Sequence, residues 1–333
     1  MRILLINDTT NNGHLGCCAV SNALRIYLSR SRSAQIYAIF NRQLKRDRHL
    51  MQFREPQVKW FSELLRWCDL VLINGEGTLH HGRAPELEVA MYCALDANKP
   101  FFVVNSILED YPRITPILKR AAGISLRDNL SMKQAQLSGV SAEQCGDAAL
   151  FAEFHEPRDP IKKVGIAITD WHGNAPTITH SEMARRLTLN DMTFLPFRSP
   201  TAVEDWQSIV RMFAQYDSVV SGRYHATLFS IMAGTPVTAF PSNSHKIDAL
   251  ARQFGMQVHH DQHSSECYYT LAGERLDAAQ KELLEISADH QFHPLRVLEL
   301  DNRIFPVASE NSPYPDTPSV FLERDPSELE DAR

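Results

Sequence analysis

An apolar run that passes through a glycine into an arginine and a histidine can hold a small anion and exchange a proton with it. Residues 218–237 read that way: Ser218-Val-Val-Ser-Gly-Arg-Tyr-His-Ala-Thr-Leu-Phe-Ser-Ile-Met-Ala-Gly-Thr-Pro-Val237. The pattern predicts a strand followed by a helix that opens with Arg223 and His225. The first N–H groups of a helix lack intrahelical partners and lie at the positive end of its dipole, so phosphate or carboxylate is favoured there. Arg223 adds a fixed cation. His225 adds an imidazole, a side-chain type suited to proton transfer near neutrality. Lys246, in Phe240-Pro-Ser-Asn-Ser-His-Lys-Ile-Asp248, also follows an apolar run and opens a helical pattern, the position for a second cation on the same anion.

Three further segments carry polar groups at the ends of apolar runs. Asn7-Asp-Thr-Thr-Asn-Asn-Gly-His-Leu-Gly16 follows the first run; Gly13 and Gly16 permit close backbone approach, while Asp8, Asn12 and His14 supply polar heads. Its spacing is not the dinucleotide fingerprint, so no nicotinamide cofactor is expected, and a plain β-to-α turn would also explain the glycines. In Leu70-Val-Leu-Ile-Asn-Gly-Glu-Gly-Thr-Leu-His-His81, Gly75 and Gly77 bracket Glu76, a carboxylate placed to take a proton from a hydroxyl. An exposed acid on a turn is the alternative. His80 and His81 would diverge on extended backbone, so no metal site is expected. In Gly123-Ile-Ser-Leu-Arg-Asp-Asn-Leu-Ser-Met132, Arg127 ends a strand as a fork for carboxylate or phosphate, and Asp128 caps the helix that follows. Asp147, after Gly146, reads equally well as structural or functional.

The elements that must position these groups alternate strand and helix, the signature of parallel α/β layers. Strands are expected at Arg2–Asn7, Gln35–Phe40, Leu70–Asn74, Phe101–Asn105, Gly123–Leu126 and near Cys145. Helices are expected at Leu15–Ser29, Glu86–Ala97 and Asn129–Leu137. A second series has strands at Lys163–Thr169, Thr193–Phe197, Ser218–Ser221, Pro236–Phe240 and Gln257–His260. Its helices are near Ser181–Leu189, Val203–Gln215, Tyr224–Ala233, Lys246–Phe254 and Arg275–Ala288. Two doubly wound, Rossmann-like domains facing a cleft follow: residues 1–155, a linker at 156–163 marked by Pro157 and Pro160, residues 164–308, and a poorly ordered acidic tail at 309–333. Ligands of open α/β sheets bind beyond the carboxyl ends of the strands, where all four segments fall.

Composition narrows the class. The chain has 333 residues and a formal net charge of −6. Seven acids in the tail (Glu310, Asp316, Glu323, Asp325, Glu328, Glu330 and Asp331) against Arg324 and Arg333 account for most of that charge. The near-neutral remainder offers no nucleic-acid footprint. The basic stretch Arg42–Arg54 could meet an anionic substrate or a membrane surface, although a solvated loop or helix face is the preferred reading. No apolar run approaches the ~20 residues of a membrane helix, and the N-terminus is too short for a signal peptide, so a cytoplasmic chain is expected. Peripheral attachment to the inner membrane face and homo-oligomers are compatible with it. The cysteines Cys17, Cys18, Cys68, Cys93, Cys145 and Cys267 lack C-x-x-C spacing and are expected to be reduced thiols.

In order along the chain, these motifs resemble the polysaccharide pyruvyl transferase family. The resemblance rests on the glycine-containing first turn, Asn74-Gly-Glu-Gly-Thr-Leu-His80, Ser125-Leu-Arg-Asp128 with Ser131, and Gly146-Asp147. Above all it rests on Ser221-Gly-Arg-Tyr-His-Ala226 with Gly234-Thr-Pro236 and Lys246. It implies a GT-B-like fold and phosphoenolpyruvate as donor substrate, with no further cofactor. The acceptor it implies is a glycan or lipid-linked saccharide that receives a pyruvate ketal. Arg127, Arg223 and Lys246 would then bind the donor, His225 would act as general acid, and Glu76, or Asp8, as base. Asn12, Gly13, His14, Gly75, Gly77, Thr78 and His80 would line the acceptor side. Gly13-His-Leu-Gly16 and Gly75-Glu-Gly77 depart from the Gly-Asp and triple-glycine forms of many members. Two other readings are a GT-B glycosyltransferase using a sugar nucleotide and a non-catalytic glycan- or anion-binding protein. Sugar-nucleotide enzymes usually carry a glutamate before Gly-x-Pro, which Ser230-Ile-Met-Ala233 lacks.

Overall fold

The computed structural model describes residues 1–29, 34–53, 59–152, 165–171, 192–195, 197, 208–260, 267–299 and 320–322. The strands expected in the first half form as β1 (Arg2–Asp8), β2 (Gln35–Phe40), β3 (Leu70–Asn74), β4 (Phe101–Ser106), β5 (Gly123–Leu126) and the short β6 (Glu143–Gln144). β3 and β4 are buried at every position, as strands covered on both faces must be, and this is why they read as unbroken apolar runs. One core cluster joins Leu4, Ile6, Ile39, Val71, Ile73 and Val103 of the sheet to Leu44, Phe61, Leu64, Leu87 and Met91. The latter come from the helices Asn41–Phe53, Lys59–Trp67 and Pro85–Asp96. Each such buried side chain contributes about 1.5–3 kcal/mol relative to exposure. The basic stretch lies mainly on the Asn41–Phe53 helix, with Lys45 Nζ 4.0 Å from Glu86; Arg54 is outside the described residues.

All pairings in this sheet are parallel, in the order β13-β2-β1-β3-β4-β5-β6, with β13 being Val320–Leu322. The chain winds to one side from β1 to β2 and to the other from β3 onward. Its switch point therefore lies between β1 and β3, where the loops after both strands open a crevice.

A second sheet has the order β11-β12-β10-β9-β7-β8. Its strands are β7 (Ile166–Trp171), β8 (Met192–Leu195), β9 (Ser218–Gly222), β10 (Val237–Ala239), β11 (Gln257–His260) and β12 (Cys267–Leu271). The four strands β8-β7-β9-β10 are parallel and repeat the winding of the first sheet, with the switch point between β7 and β9. β12, which the sequence reading lacks, pairs antiparallel with both β10 and β11. Antiparallel pairing needs only a short connection, so β11 and β12 can be neighbours without the helical crossover that a parallel pair requires. The Tyr224–Met232 helix is buried from His225 to Met232, in keeping with its apolar composition on all sides.

Packing divides the chain into one unit of Met1–Asn12, Val20–Ala148 and Gln291–Arg333, and another of Gly13–Ala19 and Ala149–His290. The expected boundaries, 1–155 and 164–308, divide the chain differently. The chain returns to the first unit after His290: Phe292 O accepts from Gly146 N at 2.8 Å, and β13 pairs along β2 from Gln35 to Tyr37. Pairing covers backbone groups that an edge strand would otherwise leave open. Part of the expected tail is thus a strand. The linker 156–163, the helix 181–189 and the rest of the tail lie outside the described residues. Among the described residues no helix is long and apolar enough to cross a membrane. No disulfide joins the six cysteines.

Candidate functional site

In the first unit, three apolar strands carry an asparagine at or next to their last position, at the carboxyl edge: Asn7 on β1, Asn74 on β3 and Asn105 on β4. Asn7 and Asn105 turn into left-handed backbone, φ 68° and 54°, which asparagine tolerates better than other non-glycine residues. Asn7 Nδ2 donates to Asn74 O at 2.5 Å and Asn74 Nδ2 donates back to Asn7 O at 3.2 Å, stitching the two strands across the switch point. Asn41 Nδ2 donates to Asn7 Oδ1 at 2.6 Å.

Glu76 stands over this stitch. It is buried, has φ 44°, and its Oε1 accepts from Thr9 Oγ1 and, at 3.3 Å, from Asn74 Nδ2. Two donors on one oxygen fix the carboxylate's direction. Thr9 is itself held by Ser21, whose Oγ is 2.9 Å from Thr9 Oγ1 and accepts from Thr9 N at 2.9 Å. Gly75 lets this loop close: a Cβ there would lie 2.3 Å from Ser106 Oγ. Thr78 turns inward, its N and Oγ1 donating to Gly75 O at 3.2 and 2.6 Å, so its hydroxyl shapes the loop. Gly77 is half-buried and His80 buried in the same turn; Asn12 N donates to Thr9 O at 3.1 Å.

Two of the expected site residues are engaged by charged partners within the first unit. Asp8 is fully buried with both oxygens engaged: Oδ1 by Thr10 N and Oγ1 at 2.9 and 2.6 Å, Oδ2 by Arg25 Nε and Nη2, each at 2.7 Å. It organises the turn after β1. Arg127 donates through Nη1 to Asp147, and both side chains are 1% exposed. This buried ion pair ties β5 to Gly146-Asp147. Burial in the same place pushes the Cys145 thiol up to about 12. Asp128 caps its helix as expected, accepting from Ser131 N at 2.7 Å.

In the second unit the switch point is cationic. Arg223, in extended backbone at φ −107° and ψ 127°, caps the Tyr224–Met232 helix. Its Nη2 and, at 3.1 Å, its Nε donate to Asp170 Oδ2 at the end of β7. Asp170 Oδ1 accepts from Phe197 N at 2.6 Å, which fixes the carboxylate from behind. Ser221 Oγ accepts from Arg223 N at 2.9 Å and lies 2.7 Å from Thr169 Oγ1, so β7 and β9 are joined beneath the guanidinium. Lys246 opens the Lys246–Phe254 helix after β10, the next parallel strand, and donates through Nζ to Asn243 Oδ1 at 2.8 Å.

His225, 7% exposed, packs in the first turn of its helix, with its ring centroid 6.1 Å from that of His14 and 6.1 Å from that of Phe229. Gly13, buried at φ 71°, precedes His14, whose ring meets Phe197 edge-on at 5.4 Å. A Cβ on Gly16 would lie 2.3 Å from His225 Cγ and Nδ1. The bare Cα of Gly16 therefore sets the imidazole's place, and a methyl group there must displace the ring. Gly16→Ala is expected to lower the melting temperature and to cost activity together; a fully active, equally stable variant would show that the ring has room to spare.

Sequence reasoning missed Asp170, Thr9 and the asparagine triad. The signal was present in Ile6-Asn7, Ile73-Asn74 and Val104-Asn105, one amide at the end of each apolar run.

The family model for polysaccharide pyruvyl transferases matches residues 20–244, more than half of the chain. No curated protein matches the sequence. Among solved structures, S. aureus MnaA, determined with UDP, is 11% identical over 94% of this chain and 100% of its own, with a TM-score of 0.53. The UDP-GlcNAc 2-epimerase of Methanocaldococcus jannaschii is 9% identical over 90% of this chain and 99% of its own, at 0.52. At these identities the likeness is one of fold, a two-domain α/β architecture of the GT-B type.

Proposed function

Because the chain belongs to the polysaccharide pyruvyl transferase family, we propose that it transfers a pyruvyl group from phosphoenolpyruvate to two hydroxyls of a glycan or lipid-linked saccharide, closing a ketal in surface-polysaccharide biosynthesis. The observation that carries this proposal is the pairing, at one helix start, of an arginine aligned by Asp170 with a buried histidine. Phosphoenolpyruvate presents a carboxylate and a phosphate on one small frame, and such charge is buried only against paired cations. With Nε and Nη2 turned to Asp170, the Nη1 edge of Arg223 remains for the anion, and Lys246 follows the adjacent strand.

In this proposal His225 gives a proton to the methylene carbon of the donor. The adjacent carbon is then attacked by one acceptor hydroxyl, whose proton goes to Glu76. Phosphate leaves with its bonding electron pair, the second hydroxyl closes the ketal, and its proton leaves on phosphate. One donor and one diol thus give one ketal and one inorganic phosphate. Asp170 and Thr9 act as positioning residues, the first for Arg223 and the second for Glu76. Arg127 with Asp147 holds the carboxyl edge of the first sheet.

The test is incubation of the protein with phosphoenolpyruvate and lipid-linked saccharide acceptors, with phosphate release and acceptor mass followed together. Both should rise in step. Glu76→Gln should slow them by roughly 10²–10⁴-fold, the usual contribution of a general base, with donor affinity retained. Full turnover by Glu76→Gln would remove that residue from the chemistry.

A further inference from the structure

The loop after β3 and the loop after β4 are joined by a backbone bridge between His80 and Glu109. His81 N donates to Glu109 O at 3.1 Å and Glu109 N to Leu79 O at 3.2 Å. This bridge gathers two imidazoles and a carboxylate. One ligand atom from each of His80, His81 and Glu109 lies within 4.8 Å of the others. His81 Nε2 is 3.7 Å from Glu109 Oε2, while Nδ1 of the same ring faces Asp110 Oδ2 at 3.5 Å.

Adjacent side chains on extended backbone point to opposite sides, the basis for expecting no metal from His80-His81. The backbone corrects that premise. His81 is left-handed at φ 48°, and the two rings come to 5.2 Å between centroids at an interplanar angle of 89°.

We propose that His80, His81 and Glu109 bind one divalent transition ion of the zinc type. Imidazole nitrogen with a single carboxylate suits zinc, whereas magnesium and calcium take oxygen ligands. Three protein ligands leave a fourth position for water. A zinc-ligating histidine commonly directs its other ring nitrogen at a carboxylate, and Asp110 stands in that relation to His81. Bonds of about 2.0–2.2 Å in a tetrahedron set ligand atoms ~3.3–3.6 Å apart, so the His81–Glu109 pair is already near that spacing and the widest pair must close by roughly an ångström. The ion would clamp the Gly75–His81 loop, which carries Glu76, to the loop after β4. The proposal stands apart from the ketal-forming reaction and does not depend on it.

The test uses tag-free, full-length protein stripped with a chelator and titrated calorimetrically with Zn²⁺ and spectroscopically with Co²⁺. One ion per chain should bind at micromolar concentration or below, and Co²⁺ should give the intense visible band of a tetrahedral site. Asp110→Asn should weaken binding by about 10-fold and His81→Ala or Glu109→Gln by ~100-fold. His81 and Glu109 are partly exposed at 38% and 24%, so their metal-free variants should melt with the stripped parent. Absence of saturable binding at micromolar metal, or binding that survives His81→Ala and Glu109→Gln unchanged, would overturn the site.

Discussion

His225→Gln is expected to keep its affinity for phosphoenolpyruvate and to lose roughly 10²–10⁴-fold in turnover, the range for removing a general acid. The expectation follows from division of labour at the start of one helix. Arg223 supplies fixed charge, aligned by Asp170 and by Ser221, and these groups are untouched by the substitution. Glutamine fills much of the space beside Gly16 and Phe229 but cannot deliver a proton near neutrality. Single-turnover measurement of phosphate release separates the two effects. A variant that releases phosphate at the parent's rate would assign the proton to another group; one that loses donor binding as well would make His225 part of the anion site.

Arg127→Ala should be the most destabilising single change in the first unit. Asp147, 1% exposed, would lose this cation, and breaking a buried pair from one side costs about 3–5 kcal/mol. Urea denaturation should show the loss in the midpoint. The double variant Arg127→Met with Asp147→Leu, which removes both charges, should recover most of it, since buried pairs are often replaceable by apolar residues of similar volume. Recovery of stability without recovery of donor binding would give Arg127 a direct role beyond its pairing.

Much of the fold is legible in the sequence because parallel strands buried on both faces leave an unmistakable trace. β2, β3 and β5 have the limits their apolar runs suggest; β11, an exposed antiparallel edge strand, and the helices Leu15–Ser29, Asn129–Leu137 and Lys246–Phe254 also match their expected limits. β12 escapes because an antiparallel strand needs neither a fully apolar run nor a helical crossover, and β13, an edge strand, because its pairing with β2 spans nearly the whole chain. A linker can be marked by prolines, but the pairing of residues 320–322 with β2 is a long-range packing outcome that no local spacing announces.

At the candidate site, residue types announced the chemistry and geometry sorted the partners. Glycine-flanked Glu76 and the Arg223–His225 pair are visible as strand-end polar groups. Whether an acid faces an incoming hydroxyl or an internal arginine is not a matter of spacing. Asp8 with Arg25, and Asp147 with Arg127, are separated by 17 and 20 residues, and only the fold brings them together. The left-handed turns at Glu76 and His81 are similarly invisible in a string of letters, although both decide where a side chain points.

The central claim is that the second unit's cationic switch point binds phosphoenolpyruvate. Ligand-induced thermal stabilisation addresses it most directly, with phosphoenolpyruvate, UDP, CMP and GDP compared on the parent and on Arg223→Ala. A ligand at a hundred times its dissociation constant stabilises by about 2.7 kcal/mol, readily visible as a shift in melting temperature. A shift with phosphoenolpyruvate that vanishes in Arg223→Ala is the predicted result. A shift with a nucleotide and none with phosphoenolpyruvate would contradict it and make the chain a sugar-nucleotide transferase instead.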